Sequence, residues 1–271
     1  MKRPVAFVGC GRITRAMVGG LVAAGHQPAL LRGVSRTGAG ALALRKEFGV
    51  SMAGTTAEAV DGASVIVLAV HPHETEEALA GLSGLVTAGQ VVVSVVASCR
   101  SEVVAAALPG VPVIRAVPNV AVAVRDGVTV LAAGPGGRPD GLDLGRQLFE
   151  LLGQVLVVDE AQLEVVSAVS GAGPALVARF TQSLAEAAVG QGLPPETAQV
   201  LAAQAVRGTG ALLCAAGMTA EAVVESVSSP HGMTEAALLT LEEHRLDTAV
   251  EAGVQAAVAL SLGRMLTASR N

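Results

Sequence analysis

Two short stretches of the chain combine residue types and spacings that could do chemistry. The first is Gly9-Cys10-Gly11-Arg12-Ile13-Thr14, which follows a short apolar run and leads into a helical pattern reaching about Ala24. Glycine at 9 permits a tight strand-to-helix turn. Glycine at 11 lets a pyrophosphate reach the N–H groups at the positive end of a helix. Thr14 stands where a third glycine would complete the dinucleotide fingerprint, so the match is partial; its position after a strand and before a helix makes nucleotide binding the reading. The second stretch is "SSPHGMTEAALLTLEE", residues 228–243. Ser229 as N-cap and Pro230 as first helical residue read as a plain helix start. The orphan N–H groups of such a start also suit a carboxylate, so capping and anion binding stay open together.

Further groups lie near the first stretch. The second apolar run ends in Ser35-Arg36-Thr37, where an acidic residue would hold the ribose 2′-hydroxyl of NAD. A guanidinium and two hydroxyls suit a 2′-phosphate instead, so NADPH is expected as cofactor, with NADH possible. His71-Pro72-His73 sets two imidazoles beside Glu74, but no ligand set with metal spacing accompanies them, and no metal is expected. His26 and His244 are expected at the surface. Cys10, Cys99 and Cys214 are odd in number and far apart, which argues for buried apolar thiols rather than disulfides or zinc.

The elements that must position these groups follow from pattern and composition. "VAFVG", "ALLRGVS", "SVIVLAV", "VVVSVVA" and "VPVIRAV" alternate with helical segments; near-continuous apolar strands of this kind need a parallel sheet covered on both faces. A doubly wound, Rossmann-like α/β domain is therefore expected over 1–160. After about residue 160, Ala-rich periodic segments at 174–191, 195–216, 219–227, 233–243 and 246–268 predict an all-helical domain over 161–271, and the loop "AAGPGGRPDG" near 135 is expected at the surface. The core must be aliphatic, since 51% hydrophobic residues include four Phe and no Trp or Tyr. That leaves no stacking platform for nucleic acid and no aromatic girdle for a membrane, and a net charge of -5 without a basic run disfavours a polyanion partner. The uncharged stretch Ala78 to Cys99 contains Gly81, Gly84, Gly89 and the turn-like Thr87-Ala88-Gly89-Gln90, and reads as helix, turn and buried strand rather than a membrane span. "MKRPVAFVGCG" enters a strand at once, without a cleavable signal, and makes cytoplasm the expectation.

A nucleotide domain followed by a helical domain fits the β-hydroxyacid dehydrogenases, but that family uses a lysine of its helical domain, and this chain has only Lys2 and Lys46. A reaction needing little acid–base help is then favoured, such as hydride delivery to an already protonated imine. Here the residues carry a resemblance. "FVGCGRITRAMVGGL", "LAVHPH", "IRAVPNVAVAVRDGVT", "VSAVSGAGPALV" and "SSPHGMTEAALLTLEE" occur in the order of the motifs of the pyrroline-5-carboxylate reductase family, along nearly all the chain. The resemblance implies an NAD(P)H-dependent oxidoreductase that reduces the C=N bond of 1-pyrroline-5-carboxylate to L-proline, and a homodimer or larger homo-oligomer formed through the helical domain. It implies cofactor contacts at Gly9, Gly11, Arg12, Ile13, Ser35, Arg36, Thr56, Ala69, Val70, His71, Pro72 and Asn119. It also implies substrate contacts at Ser170, Ser229, His231, Gly232, Met233 and Thr234, with the Thr234 hydroxyl as catalytic group at the ring nitrogen.

Departures from the family pattern cluster at these sites: Arg12 for asparagine, His71 for lysine, Val120 for threonine, Leu176 for tyrosine, His231 for glycine and Met233 for a small residue. A β-carbon at 231 obstructs backbone approach or demands another backbone angle, whereas a protonated imidazole adds a cation for the carboxylate; both stay open. So do two alternatives to the first function: a paralogue that reduces a different cyclic imine, and a catalytically silent NADP(H)-binding regulatory protein. The segment Ser170-Gly171-Ala172-Gly173-Pro174 reads equally as close packing before a Pro-started helix and as a substrate-facing loop.

Overall fold

The computed structural model describes residues 3–36, 38–135, 139–214 and 216–268. Lys2, Thr37 and 136–138 of the glycine-rich loop lie outside the described residues. By packing, the chain forms two compact units, Met1–Ala172 with Ala257–Asn271, and Gly173–Ala256.

The first unit is built on one sheet whose strands are β1 Val5–Val8, β2 Leu31–Val34, β3 Ser51–Met52, β4 Val65–Leu68, β5 Val91–Ser94, β6 Val113–Pro118, β7 Gly127–Ala133 and β8 Gly153–Val157. Their order is β3-β2-β1-β4-β5-β6-β7-β8. All pairs are parallel except β6 with β7. β1, β4 and β5 are buried at every residue, as the apolar runs require when helices cover both faces. Alternation sends Val5 and Phe7 to one face, with Met17, Leu21 and Phe149, and Ala6 and Val8 to the other, with Ile66, Leu79 and Val104. Burying each Leu or Phe there contributes about 1.5–3 kcal/mol before the entropy of ordering is subtracted. Because the order reverses beside β1, the ends of β1 and β4 border a crevice at the topological switch point.

Several expectations need correction. β7 and β8 extend the sheet beyond the apolar runs read as strands. Their signal was modest: glycine-led β-branched segments, with Gly153 at φ +138° and so close to Gly127 that a β-carbon would strike its backbone. The loop near 135 is shorter than expected, since Ala132 and Ala133 end β7 and Pro139 opens a helix. His26 is buried, its ring between the carbonyls of Arg3 (3.1 Å) and Gln27 (3.4 Å). Cys214 is exposed, while Cys10 and Cys99 are half-buried. The uncharged stretch 78–99 does divide into a helix ending at Leu82, a turn closed by Gln90 N–H on the Thr87 carbonyl, and β5.

The helices Gly173–Gly190, Pro195–Cys214, Ala220–Val227, Met233–Glu243 and Leu246–Ala268 fall close to the predicted periodic segments. Buried packing in the second unit centres on Ala185, Ala198 and Ala202, and large apolar residues stay exposed, among them Phe180, Val200, Leu201 and Leu239. One described helical stretch, Glu160–Gly190, is long and apolar enough to cross a membrane by length and composition alone.

Candidate active site

The end of β1 is shaped for a phosphate group. Gly9 has φ +100°, and a β-carbon there would lie 2.6 Å from the Ala69 carbonyl carbon and 2.9 Å from Val70 N, so only glycine fits between β1 and β4. The helix Arg12–Ala23 starts at Gly11, whose extended backbone (φ −82°) carries no side chain over the first-turn N–H groups, with open space where a β-carbon would stand. Those donors and the dipole end await an anion. Arg12 is exposed, and Ile13 is half-buried against the sheet core. Thr14, in the third-glycine position, is fully buried, and its hydroxyl donates to the Gly9 carbonyl at 2.8 Å, so it braces the turn. Close helix packing falls to Gly20, which abuts Val122 of the segment before β7. Burial pushes the Cys10 thiol up to about 11, which keeps it neutral beside this loop.

At the end of β2 the Ser35 hydroxyl is buried without a hydrogen-bond partner; the neighbouring Cys10 thiol points instead to the Val34 carbonyl, 3.6 Å away. An orphaned buried hydroxyl is costly unless a ligand completes it. Arg36, next to it, is largely exposed and pairs with Glu74 (2.6 Å) and more distantly with Glu77 (3.9 Å). Thr37 lies outside the described residues. At the end of β4, Ala69 and Val70 are half-buried, and His71 and Pro72 exposed. The His71 ring stacks on His73 with centroids 5.4 Å apart, and no group of three or more metal-ligating side chains forms among the described residues. Thr56 opens the helix Thr56–Val60 and is half-buried. Asn119 Oδ1 accepts from Ala121 N (3.2 Å) and Val128 N (3.4 Å), holding the short helix after β6. A glycine at 9 without room for a β-carbon, a helix start at Gly11 without a side chain over it, and the orphaned Ser35 hydroxyl fit a phosphorylated dinucleotide.

The segment in the second unit departs from the simple helix start. Gly232 N–H bonds the Ser229 carbonyl at 2.9 Å, which closes a turn led by Pro230 and delays the helix to Met233, with Gly232 as N-cap. Ser229 and Pro230 are therefore turn residues, because the backbone spends the Ser229 carbonyl on the turn. His231 keeps a left-handed backbone, φ +59°, a conformation that costs a non-glycine residue about 1–2 kcal/mol. Its side chain is almost fully exposed, and its N–H donates to Glu235 at 2.6 Å. The N–H groups of Met233 and Thr234 carry no hydrogen bond among the described residues. Met233 is 92% exposed, and Thr234 is half-buried. In the first unit, Ser170 lies in the π-helical turn Ser167–Gly171, with its hydroxyl buried and unpartnered.

Sequence reasoning missed the acidic partners. Glu74 reads from sequence only as a neighbour of the two imidazoles and Glu235 as helix surface, and Glu77, Glu160 and Glu164 carry no reading at all. Arg115 on β6 is 3% exposed and pairs with Glu164 (2.6 Å) and Glu160 (3.5 Å). The Ser261 hydroxyl also bonds Glu164, and Ser101 bonds Glu160 through both its hydroxyl and its N–H (2.8 Å). The only signal in the sequence was an arginine inside an otherwise apolar strand.

Comparisons with known proteins bear on both halves. Residues 4–98 match the family model described as NADP oxidoreductase coenzyme F420-dependent, and residues 160–262 the one described as pyrroline-5-carboxylate reductase dimerisation. The chain is 37% identical to a pyrroline-5-carboxylate reductase of Mycobacterium tuberculosis, over 93% of this chain and 94% of the relative. It is 31% identical to that of Escherichia coli, over 92% and 94%. The structure is similar to the pyrroline-5-carboxylate reductase of Coxiella burnetii, with TM-score 0.89, 28% identity and coverage of 97% and 99%. The pyrroline carboxylate reductase of Plasmodium falciparum, solved with NADP bound, shares the fold at TM-score 0.86, 20% identity and coverage of 97% and 98%.

Proposed function

The chain belongs to the pyrroline-5-carboxylate reductase family, and on that premise we propose that it reduces 1-pyrroline-5-carboxylate to L-proline with NADPH, a step of proline biosynthesis. The observation that carries this reading is a glycine turn shaped for a pyrophosphate, in a chain that matches reductases of this substrate over nearly its whole length. We assign residues 1–160 to NADP(H) binding and 161–271 to substrate binding and dimerisation, an assignment supported by the residues the two family models match.

The cofactor supplies a hydride; the protein binds, orients and charges the partners. Gly9, Gly11, Arg12 and Ile13 would hold the pyrophosphate, Ser35 and Arg36 the 2′-phosphate, and Thr56, Ala69, Val70, His71, Pro72 and Asn119 the remaining nucleotide contacts. Within the second unit, Ser229, His231 and Gly232, with the N–H groups of Met233 and Thr234, would bind the substrate carboxylate; Ser170 of the first unit is a separate candidate substrate contact. The Thr234 hydroxyl would meet the ring nitrogen. No basic side chain is needed at the reacting carbon, since a protonated imine already carries the activating charge. Catalysis is then mostly positioning, worth up to about 7–11 kcal/mol in favourable cases. Replacing Thr234 by alanine should lower kcat/KM by about 10²-fold or less, as one positioned hydrogen bond warrants; unchanged turnover removes the assignment.

Exposed Phe180, Val200, Leu201 and Leu239 on the helices, against a buried centre of three alanines, support a homodimer through the helical domain. The apolar stretch 160–190 is read with that interface, not with a membrane, and no nucleic-acid surface is assigned; the enzyme is placed in the cytoplasm. The direct test follows NADPH absorbance with 1-pyrroline-5-carboxylate as substrate. Rapid loss with proline as product is expected; NADPH binding without turnover of any cyclic imine would sink the reading. A second reading, preference for another cyclic imine, draws on Met233 exposed at the first helical position of the substrate segment, and relative kcat/KM values among cyclic imines separate the two.

A further inference from the structure

The guanidinium expected to read the 2′-phosphate is already held by carboxylates. Arg36 Nη2 lies 2.6 Å from Glu74 Oε1, and Nη1 lies 3.9 Å from Glu77 Oε2. Glu74 is more enclosed than the arginine, with side-chain exposures of 24% and 63%. Its second oxygen accepts the His71 N–H at 3.2 Å, so the carboxylate is anchored to the end of β4 and does not simply follow the arginine. Beside this pair stands the buried, unpartnered Ser35 hydroxyl.

Resting on the NADPH reading above, we propose that Glu74 is a specificity-determining residue that competes with the cofactor's 2′-phosphate for Arg36 and so narrows the enzyme's preference for NADPH over NADH. A 2′-phosphate arriving at Arg36 must displace Glu74 from one edge of the guanidinium or share the cation with it; in both cases an anion is brought against an anchored carboxylate. A ribose 2′-hydroxyl brings no charge and meets no such opposition. Glu74 therefore weakens the binding of the phosphorylated dinucleotide selectively. Glu77, farther away and 74% exposed, contributes less because solvent screens it.

The test measures calorimetric dissociation constants of NADP⁺ and NAD⁺ for the full chain and its variants. Glu74→Gln retains an acceptor for the His71 N–H and removes only the charge. It should raise the ratio Kd(NAD⁺)/Kd(NADP⁺) by about fivefold, the upper range for one exposed ion-pair partner, with Kd for NAD⁺ unchanged as the sign of an intact fold. Glu74→Ala should move the ratio in the same direction, and Glu77→Gln by less than twofold. A ratio that stays constant or falls in both Glu74 variants, while Arg36→Met abolishes the discrimination, overturns the role of Glu74 and leaves the phosphate reading of Arg36 intact. If Arg36→Met leaves the ratio unchanged, the phosphate reading fails and the proposal falls with it.

Discussion

Replacing Arg115 by alanine is expected to destabilise the protein by about 3–5 kcal/mol, the cost of stranding a buried charge. The thermal midpoint should fall by roughly 10 °C for a domain of this size. The arginine side chain is 4% exposed and faces Glu164, also 4% exposed, at 2.6 Å. Glu160, the second carboxylate, is held by Ser101. With the cation gone, both carboxylates remain beside the sheet, and the hydroxyls of Ser101 and Ser261 cannot neutralise them. Glu164→Gln should cost less, because a neutral amide still meets Arg115 and Ser261 and one carboxylate remains for the arginine. Circular dichroism at 222 nm during heating measures both. A loss under about 1 kcal/mol for Arg115→Ala would put the cluster in the class of solvent-screened surface pairs.

The second large effect separates two glycines that look alike in sequence. Gly9→Ala should weaken NADPH binding and lower kcat/KM by about 100-fold, since misplacing a positioning element by even 1 Å can cost that much in rate. The new methyl group would run into the Ala69 backbone from a residue at φ +100°, and the ends of β1 and β4 must part to admit it. Those ends form the crevice itself. Stability should fall by about 1–3 kcal/mol as well, the range for a strained backbone position. Gly11→Ala meets nothing within 4 Å and starts from an ordinary backbone angle. It should fold with stability within about 0.5 kcal/mol of the parent while still weakening NADPH binding, because its methyl group obstructs only the ligand. Titration of NADPH fluorescence alongside thermal unfolding distinguishes the cases; equal stability losses for the two variants would contradict the geometry.

Much of the fold was legible in the sequence because its signals are local. The helices 195–214, 220–227 and 233–243 follow from apolar spacing and Pro punctuation, and β1, β4 and β5 from uninterrupted apolar runs that only a doubly covered sheet accepts. Gly9 and Gly11 followed from the demands of a strand-to-helix turn. β7 and β8 were not legible, since their mutual pairing sets Gly127 against Gly153 across the sheet and β7 joins β6 antiparallel, unlike the parallel pairs before it. The periodic segment 233–243 matches the helix Met233–Glu243, but Ser229 and Pro230 do not start it, because a backbone hydrogen bond from Gly232 N–H to the Ser229 carbonyl closes a turn before it.

By itself the sequence determined the α/β and helical halves and the nucleotide turn, for periodicity and composition act over neighbouring residues; the family followed from the resemblance of five motifs in order. Tertiary structure alone decided which charges meet. Arg36 reaches Glu74 and Arg115 reaches Glu164, because the order of strands brings distant residues within the few ångströms over which ion pairs act.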